Sequence, residues 1–171
     1  MSDVDHVTTQ ILQAAADRLA PIVGTELGSG TVKAVHISRV WPTDLRDLPA
    51  LNVFVPDEAI SNRKGMPGQR MQRRGIRLQI IIPLRRPASP VNTLEADIGR
   101  LKVLIEGALG NDPILRDPEG EPLNTDLFLT ATGSGLDPQS AGLQLVLLWL
   151  NFSAVARHRE GDPAHPMNRA P

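Results

Sequence analysis

The chain contains no cysteine and no tyrosine, and aromatic residues make up only 3% of its 171 residues. Without cysteine, disulfide bonds and thiolate chemistry are excluded, and a reducing compartment is allowed. Because aromatic rings are scarce, so are stacking platforms for bases or sugars, which argues against single-strand nucleic-acid binding. The core must therefore be built from aliphatic side chains.

The chain also lacks a strong net charge and a long hydrophobic run. Its formal net charge is −1, so the molecule as a whole is not an electrostatic nucleic-acid binder. The longest apolar stretch, Leu143–Leu150, includes Gln144 and is too short to span a bilayer. No basic segment followed by an apolar stretch opens the chain, so we expect no secretory signal and no membrane partner.

Recognisable catalytic or ligand-binding motifs are missing as well. The sequence has no Gly-x-Ser-x-Gly elbow, no phosphate loop and no His-x-x-x-His pair. The four histidines are dispersed at positions 6, 36, 158 and 165, and His36 has no nearby ligand on its face of the predicted strand. We therefore predict that the protein is not an enzyme, with no catalytic residue, metal site or cofactor.

One stretch, residues 72–86, organises the rest of the chain. Five apolar residues fall on every second position, which places them on one face of a strand: Ile76, Leu78, Ile80, Ile82 and Leu84. A helix would scatter the same residues around its circumference. The β-branched run Ile80–Ile82 also favours an extended backbone. We predict a long strand at the centre of a small sheet.

Periodicity assigns most of the remaining chain. Spacings of three and four predict helices over 2–23 and 92–109, with Ser2/Asp5 and Asn92/Glu95 as capping pairs. Alternation predicts strands over 32–41, 50–55, 123–132 and 141–157. Residues 57–74 have no sustained periodicity and are predicted to be a long basic loop. The predicted fold is α+β: a small, mainly antiparallel mixed sheet of four to five strands flanked by two helices.

We expect a single domain over residues 1–157. From His158 onward the sequence turns polar and rich in proline, so residues 158–171 are predicted to form a flexible C-terminal tail. No internal repeat is evident.

The charges are unevenly placed. Between Asp57 and Arg86, eight basic residues oppose two acidic ones, a net of +6, whereas Asn92–Asp126 has a net of −5 from eight acidic and three basic residues. This is either an ordinary solvated surface or a head-to-tail contact between copies, which could close a ring. The candidate interface residues are Arg63, Lys64, Arg70, Arg73, Arg74, Arg77, Glu95, Asp97, Asp112, Asp117 and Glu119.

Several stretches resemble the tail terminator proteins of long-tailed bacteriophages (minor tail protein U-like). They are Leu48-Pro-Ala-Leu-Asn-Val-Phe-Val-Pro-Asp-Glu, a basic linker, Arg-x-x-x-Leu-x-Ile-x-Ile from Arg74, then a helix and Asn-Asp-Pro-x-Leu from Asn111. The resemblance covers roughly residues 4–157 and consists of residue types rather than fixed positions. The long 57–74 segment and the proline-rich tail have no counterpart in the family pattern.

The resemblance implies a structural virion protein that caps the tail tube as a ring, which ends tube polymerisation and offers an interface to the neck or head. The implied partners are other copies in a hexamer, the tail-tube protein, a neck or head-completion protein and, in a contractile tail, the sheath. DNA would pass through the ring lumen without specific binding. The protein would lie at the head-proximal end of the tail in the virion, and in the host cytoplasm during assembly.

Two alternatives remain open from the sequence. The protein could be another head–tail connector or neck adaptor, which would differ only in the partner that each face binds. It could also be a nucleic-acid-binding protein that uses the basic segment 63–86, with an affinity that falls steeply as salt rises.

Overall fold

A computed structural model describes residues 5–37, 44–63, 65–85, 92–137 and 145–167. They form an α+β fold in which two helices pack on one face of a mixed sheet, which confirms the predicted fold class. The helices are α1 (Val7–Leu19) and α2 (Asn92–Gly110). The strands are β1 (Glu26–Leu27), β2 (Gly30–Thr31), β3 (Val35–Ile37), β4 (Leu51–Phe54), β5 (Glu58–Asn62), β6 (Met71–Arg85), β7 (Asp126–Leu136), β8 (Leu145–Arg159) and β9 (Asp162–Pro166).

The main sheet has five positions, although seven strands contribute to it. Its order is β3, β4, β6, β8 and β7, with β5 following β4 along the same side of β6, and β9 next to β7 along β8. Only β3 and β4 pair in parallel, and every other neighbouring pair is antiparallel. Strands β1 and β2 form a separate small hairpin.

Strands β6 and β8 form the centre of the fold. They pair along their whole length, from Met71 opposite Arg159 to Arg85 opposite Leu145. At about 3.4 Å per residue, fifteen paired residues give a ladder about 50 Å long. The register puts the alternating apolar residues of both strands on the same face, because directly paired residues share a face of a sheet.

The core lies between this face and the two helices. Each helix presents one apolar stripe to the sheet, Val7, Ile11, Ala15 and Leu19 from α1 and Ile98, Leu101, Ile105 and Leu109 from α2. The predicted face of β6, from Ile76 to Leu84, is fully buried, as are Leu148 and Leu150 of β8. The predicted aliphatic core is therefore present, with Phe152 as the aromatic residue among its largest fully buried side chains.

The structure changes several predicted boundaries. The predicted loop at 57–74 is largely a hairpin, since Glu58–Asn62 form β5 and β6 begins at Met71. The strand predicted at 123–132 lies at Asp126–Leu136, and the one predicted at 141–157 lies at Leu145–Arg159. Of the strand predicted at 32–41, only Val35–Ile37 is extended in a ladder, and 38–41 lies outside the described residues.

Helix α1 begins later than predicted. Its N-cap is His6, whose Nδ1 accepts a hydrogen bond from the Thr8 amide at 3.2 Å. The predicted cap Ser2 lies outside the described residues, as does the side chain of Asn92 at the start of α2. A histidine nitrogen here replaces the hydroxyl or carboxylate oxygen that usually satisfies the first amides of a helix.

The predicted flexible tail has regular structure over most of its length. His158 and Arg159 complete β8, and Asp162–Pro166 turn back as β9 to pair with it. Residues 168–171 lie outside the described residues. Prolines in a segment normally argue against a strand, but β9 lies at the edge of the sheet, where a missing N–H costs little.

The face of the sheet away from the helices carries its own apolar strip. Trp149 pairs with Ile81 on one side and with Gly133 on the other, and Leu147 lies next along the strand. All three large side chains are half-buried. The indole of Trp149 lies over Gly133, so a Cβ at position 133 would come within 2.8 Å of Trp149 Cε2 and closer still to Cζ2.

We predict that Gly133→Ala destabilises the fold by about 1–3 kcal/mol, because the added methyl group must displace the indole ring. Gly135→Ala on the same strand is the matched control, since a Cβ there has no heavy atom within 4 Å. Chemical denaturation followed by tryptophan fluorescence measures both. Equal stability of the two variants would contradict this account of Trp149.

Candidate functional site

The predicted interface residues do not form one surface. Among the basic ones, Arg63 follows β5 and Arg73 lies on β6, and both are exposed. Within the described residues, neither guanidinium has a carboxylate at ion-pair distance. Arg77 is also exposed but forms an ion pair with Asp57. Lys64 lies outside the described residues.

Two of the predicted interface residues lie inside the fold. Arg74 is 8% exposed and Asp97 is 6% exposed. Both are satisfied by partners within the same chain, so neither is available for a contact between copies. Arg70 is half-buried, and its Nε donates to the Gly65 carbonyl at 3.1 Å, which closes the connection between β5 and β6.

Asp97 joins α2 to the small hairpin β1–β2. Its two carboxylate oxygens accept hydrogen bonds from the amides of Gly28 and Ser29, each at 2.8 Å. This explains why the loop that contains Gly28 is ordered against the helix, and it assigns Asp97 a structural role.

We predict that Asp97→Ala lowers the free energy of unfolding by about 1–3 kcal/mol, because two partly buried amides lose their acceptor. Glu95→Ala, in the exposed first turn of the same helix, should change it by no more than about 0.5 kcal/mol. Urea denaturation of both variants provides the comparison. If Asp97→Ala were as stable as the wild type, its carboxylate would be free for an external partner.

The other acidic candidates occupy the segment between α2 and β7. Asp112 forms an ion pair with Arg18 of α1 at 3.0 Å, and the amide of Ile114 donates to its other oxygen at 3.0 Å. The Ile114 amide, followed by the nearby guanidinium of Arg18, lowers the pKa of Asp112. Asp117 Oδ1 accepts from the amide of Glu121 at 2.8 Å, and Glu119 is exposed.

A buried polar cluster lies where α1 meets the first half of β6, and the sequence did not predict it. The Arg74 guanidinium pairs with Glu58 of β5, and its Nε lies 3.3 Å from His158 Nε2. Thr8 donates to the second oxygen of Glu58 at 3.0 Å. His158 is 1% exposed, and its Nδ1 lies 3.0 Å from the Arg159 carbonyl.

The cluster joins four elements, α1, β5, β6 and β8, around one guanidinium. Because Nδ1 of His158 faces a carbonyl and Nε2 faces an N–H donor, the geometry fits a neutral ring with its proton on Nδ1. One signal could have identified His158 in the sequence. It continues the even-numbered buried face of β8, two residues after Ala156.

The cluster also affects titration at its edge. Burial lowers the pKa of His6, and the neighbouring Arg74 lowers it further, more than Glu58 raises it. Partial desolvation raises the pKa of Glu58, but hydrogen bonds from Arg74 and Thr8 outweigh this effect and lower that pKa overall. Both groups therefore bind protons less readily in the folded chain than in the unfolded one.

A folded-state pKa below the unfolded value means that acid favours the unfolded chain. We predict that stability falls as the pH drops through the unfolded His6 value of 6.5, and falls again below the Glu58 value of 4.5. His6→Asn keeps a capping acceptor but does not titrate, so the decline near pH 6.5 should become shallower while the decline near 4.5 persists. Urea denaturation across this pH range measures it, and an unchanged slope near 6.5 would exclude His6 as the cause.

Four of the candidate residues, Arg63, Arg73, Asp117 and Glu119, line one concavity of about 1210 Å³. Its walls come from α1, the start of β6, the loop before β7, and β9. The charged residues along it include Asp17, Arg63, Arg73, Arg116, Asp117, Glu119, Glu121 and Arg157. Basic and acidic candidates therefore share one concavity within a single copy, an arrangement that residue order alone does not reveal.

The mixed lining limits what the concavity can bind. The lining combines Arg63 and Arg73 with the carboxylates of Asp117 and Glu119, so a phosphate backbone in the concavity would meet charges of both signs. Of the described cations of segment 63–86, Arg74 and Arg77 are engaged with Glu58 and Asp57. The geometry thus disfavours the nucleic-acid alternative.

The described residues contain no group of three or more histidine or acidic side chains placed to hold a metal ion. No helix among them is both long enough and apolar enough to cross a membrane.

Over its described residues, the chain is thus a small α+β protein with a mixed-charge concavity and one sheet face that neither α1 nor α2 covers. No protein-family model matches it, and no curated protein matches it. Among solved structures, it is similar to one chain of a structure described as "Virion of native gene transfer agent (GTA) particle". The two share 14% sequence identity with a TM-score of 0.45, and the alignment covers 90% of this chain and 96% of that chain.

Proposed function

We propose that the protein is a structural subunit of a phage-like virion that caps the tail tube as a ring, ending tube polymerisation and offering an interface to the neck or head. The proposal joins the sequence resemblance to tail terminators with a surface suited to assembly. The fold class that the resemblance implies, a small α+β subunit with a mainly antiparallel sheet and two helices, is the one observed.

The observation that carries the proposal is the face of the sheet opposite the helices. It combines the half-buried strip of Ile81, Leu147 and Trp149 with Phe128, which is 47% exposed. At the end of β7, Leu136 is 70% exposed on the other face, because it pairs with Val146 of the helix-facing side of β8. Large apolar groups that stay in water in a single copy are typical of proteins that bury them against a partner.

The charged residues supply the second support. Arg63 and Arg73 are exposed in the concavity without an ion-pair partner in the described chain, while Glu95, in the first turn of α2, is an exposed carboxylate outside it. In a ring each copy uses two different surfaces, one for each neighbour, and complementary charge helps to set their register. Arg74 and Asp97 are no longer part of this proposal, because they are buried.

The proposed partners follow from the role. They are other copies of the chain, tail-tube subunits on one side of the ring, and a neck or head-completion protein on the other. Another head–tail connector or neck adaptor would use the same surfaces for different neighbours. Mass measurements with tube subunits separate these alternatives, since only a terminator binds tube ends.

We predict that the purified protein forms rings of about six copies, alone or on tube ends, and that Arg73→Glu weakens them. Arg46→Glu is the control, because Arg46 is exposed and lies outside the concavity. Light scattering at low and high salt measures the mass of each variant. Rings that form equally well in Arg73→Glu, with the same salt dependence, would rule out Arg73 at the contact.

A different outcome would overturn the proposed function itself. If the wild-type protein remains a single copy, ignores tube subunits and binds DNA at low salt with a steep loss at high salt, a nucleic-acid role is favoured.

A further inference from the structure

β7 is an edge strand of the described sheet. On one side β7 pairs with β8, and no strand in the described part of the chain pairs with its other side. Residues 127–136 contain neither a charge nor a proline. Proteins normally protect a free strand edge with charges, prolines, bulges or short length, because its unpaired backbone groups can bind another strand. The bulge of β7, between Leu129 and Ala131, leaves the last six residues regular.

The neighbouring edge strand is different. β9 lies on the same side of β8 as β7 but contains Pro163 and Pro166, neither of which can donate a backbone hydrogen bond. The same edge of the sheet is therefore blocked along β9 and open along β7.

The direction of the free donors on β7 can be read from one hydrogen bond. The Asp137 amide donates to the Leu145 carbonyl at 3.0 Å, just beyond the end of the β7–β8 ladder. In an antiparallel ladder, amides alternate between the two sides, so those of Thr132, Ser134 and Leu136 point away from β8. All three residues are exposed.

The opposite edge of the sheet offers a matching strand. The Arg63 amide donates to the Met71 carbonyl at 3.0 Å, and the Arg77 amide donates to the Asp57 carbonyl at 3.2 Å. These two bonds show that the backbone amides of the odd-numbered residues of β5 point toward β6. The amides of Glu58, Ile60 and Asn62 therefore point outward. All five residues of β5 are exposed, Ile60 by 52%, and no described strand pairs with its outer side.

We propose that β7 of one copy adds to β5 of the next copy as an antiparallel strand, so that the ring is held together by a ladder across each boundary. β5, β6, β8 and β7 alternate in direction, so β7 of one copy runs antiparallel to β5 of the next where their sheets join. Because β5 lies level with residues 154–158 of β8, and Thr132–Leu136 lie level with residues 146–150, the joined strands must tilt relative to the ring axis. The contact joins two different edges, the type of contact that a closed ring requires, whereas pairing of β7 with itself would stop at two copies. This inference rests on the proposed function.

Proline substitutions test it without breaking the ladders inside the subunit. Ser134→Pro and Ile60→Pro each remove an outward amide and leave the bonds to β8 and β6 in place. Ser134→Ala and Ile60→Ala keep the amide and are the matched controls. Light scattering should give single copies of 18.5 kDa for both proline variants and rings for both alanine variants. Circular dichroism establishes that each variant is folded.

Mixing the two proline variants tests the direction of the contact. Ser134→Pro retains an intact β5 edge and Ile60→Pro retains an intact β7 edge, so an equal mixture should form pairs with one copy of each. If Ile60→Pro forms rings by itself, β5 is not the partner strand. If Ser134→Pro forms rings as readily as Ser134→Ala, the inference about β7 is wrong while the ring remains.

Hydrogen exchange of the wild-type protein gives a readout without any substitution. The amides of Thr132, Ser134 and Leu136 should exchange fast in the single copy and slow in the ring. Equal exchange in both states overturns the strand addition. Failure of the wild type to form rings under any condition would instead overturn the proposed function, so the two failures are distinguishable.

Discussion

The antiparallel pairing of β6 with β8 is the interaction on which the rest of the structure depends. Fifteen residues of each strand are in register, and the register decides which face each side chain occupies. A shift by one residue would move the apolar set of β6 from the helices to the opposite face. The core, the edge strands and the concavity all follow from that choice. Both helices cover the even-numbered face because that is where Ile76–Leu84 and their partners on β8 lie.

The same register places polar groups in the core face at one end of the ladder. Arg74 and His158 continue the buried series of β6 and β8 beyond the reach of the apolar residues. A buried guanidinium is costly unless it is paired, and here Glu58 and His158 provide the partners. The start of α1 completes the arrangement through Thr8. Charges that look like a basic surface in the sequence are therefore partly an internal cluster that holds four elements together.

The surface that the two helices do not cover has features that suit assembly with other copies. The helices protect one face of the sheet, whereas the other face carries exposed Phe128 and two strand edges lack a partner strand in the described part of the chain. Unpaired backbone groups at a strand edge and exposed apolar side chains can each bind the surface of a second copy. The proposed ring and the proposed strand addition both use surfaces that the monomer leaves unsatisfied.

The candidate site was harder to predict than the fold, for a physical reason. Residue type shows that Arg63, Arg73 and Arg74 are basic, but solvent exposure depends on which elements pack against them. Asp97 shows the same limit, since its role as an acceptor for Gly28 and Ser29 requires a hairpin sixty-odd residues earlier in the chain. The concavity brings together segments from α1 to β9, so no local pattern could predict its mixed lining.

The sequence by itself determined the two helices, the aliphatic core and the long central strands, because periods of two and 3.6 residues encode which side of an element is buried. Only the tertiary structure determined that Glu58–Asn62 and Asp162–Pro166 form strands, β5 and β9. The segment Glu58–Asn62 has little strand propensity of its own, and β9 contains two prolines, yet each gains backbone hydrogen bonds from an already formed neighbour. It also decided which charges are exposed, because burial is a property of packing between distant segments and not of the residues alone.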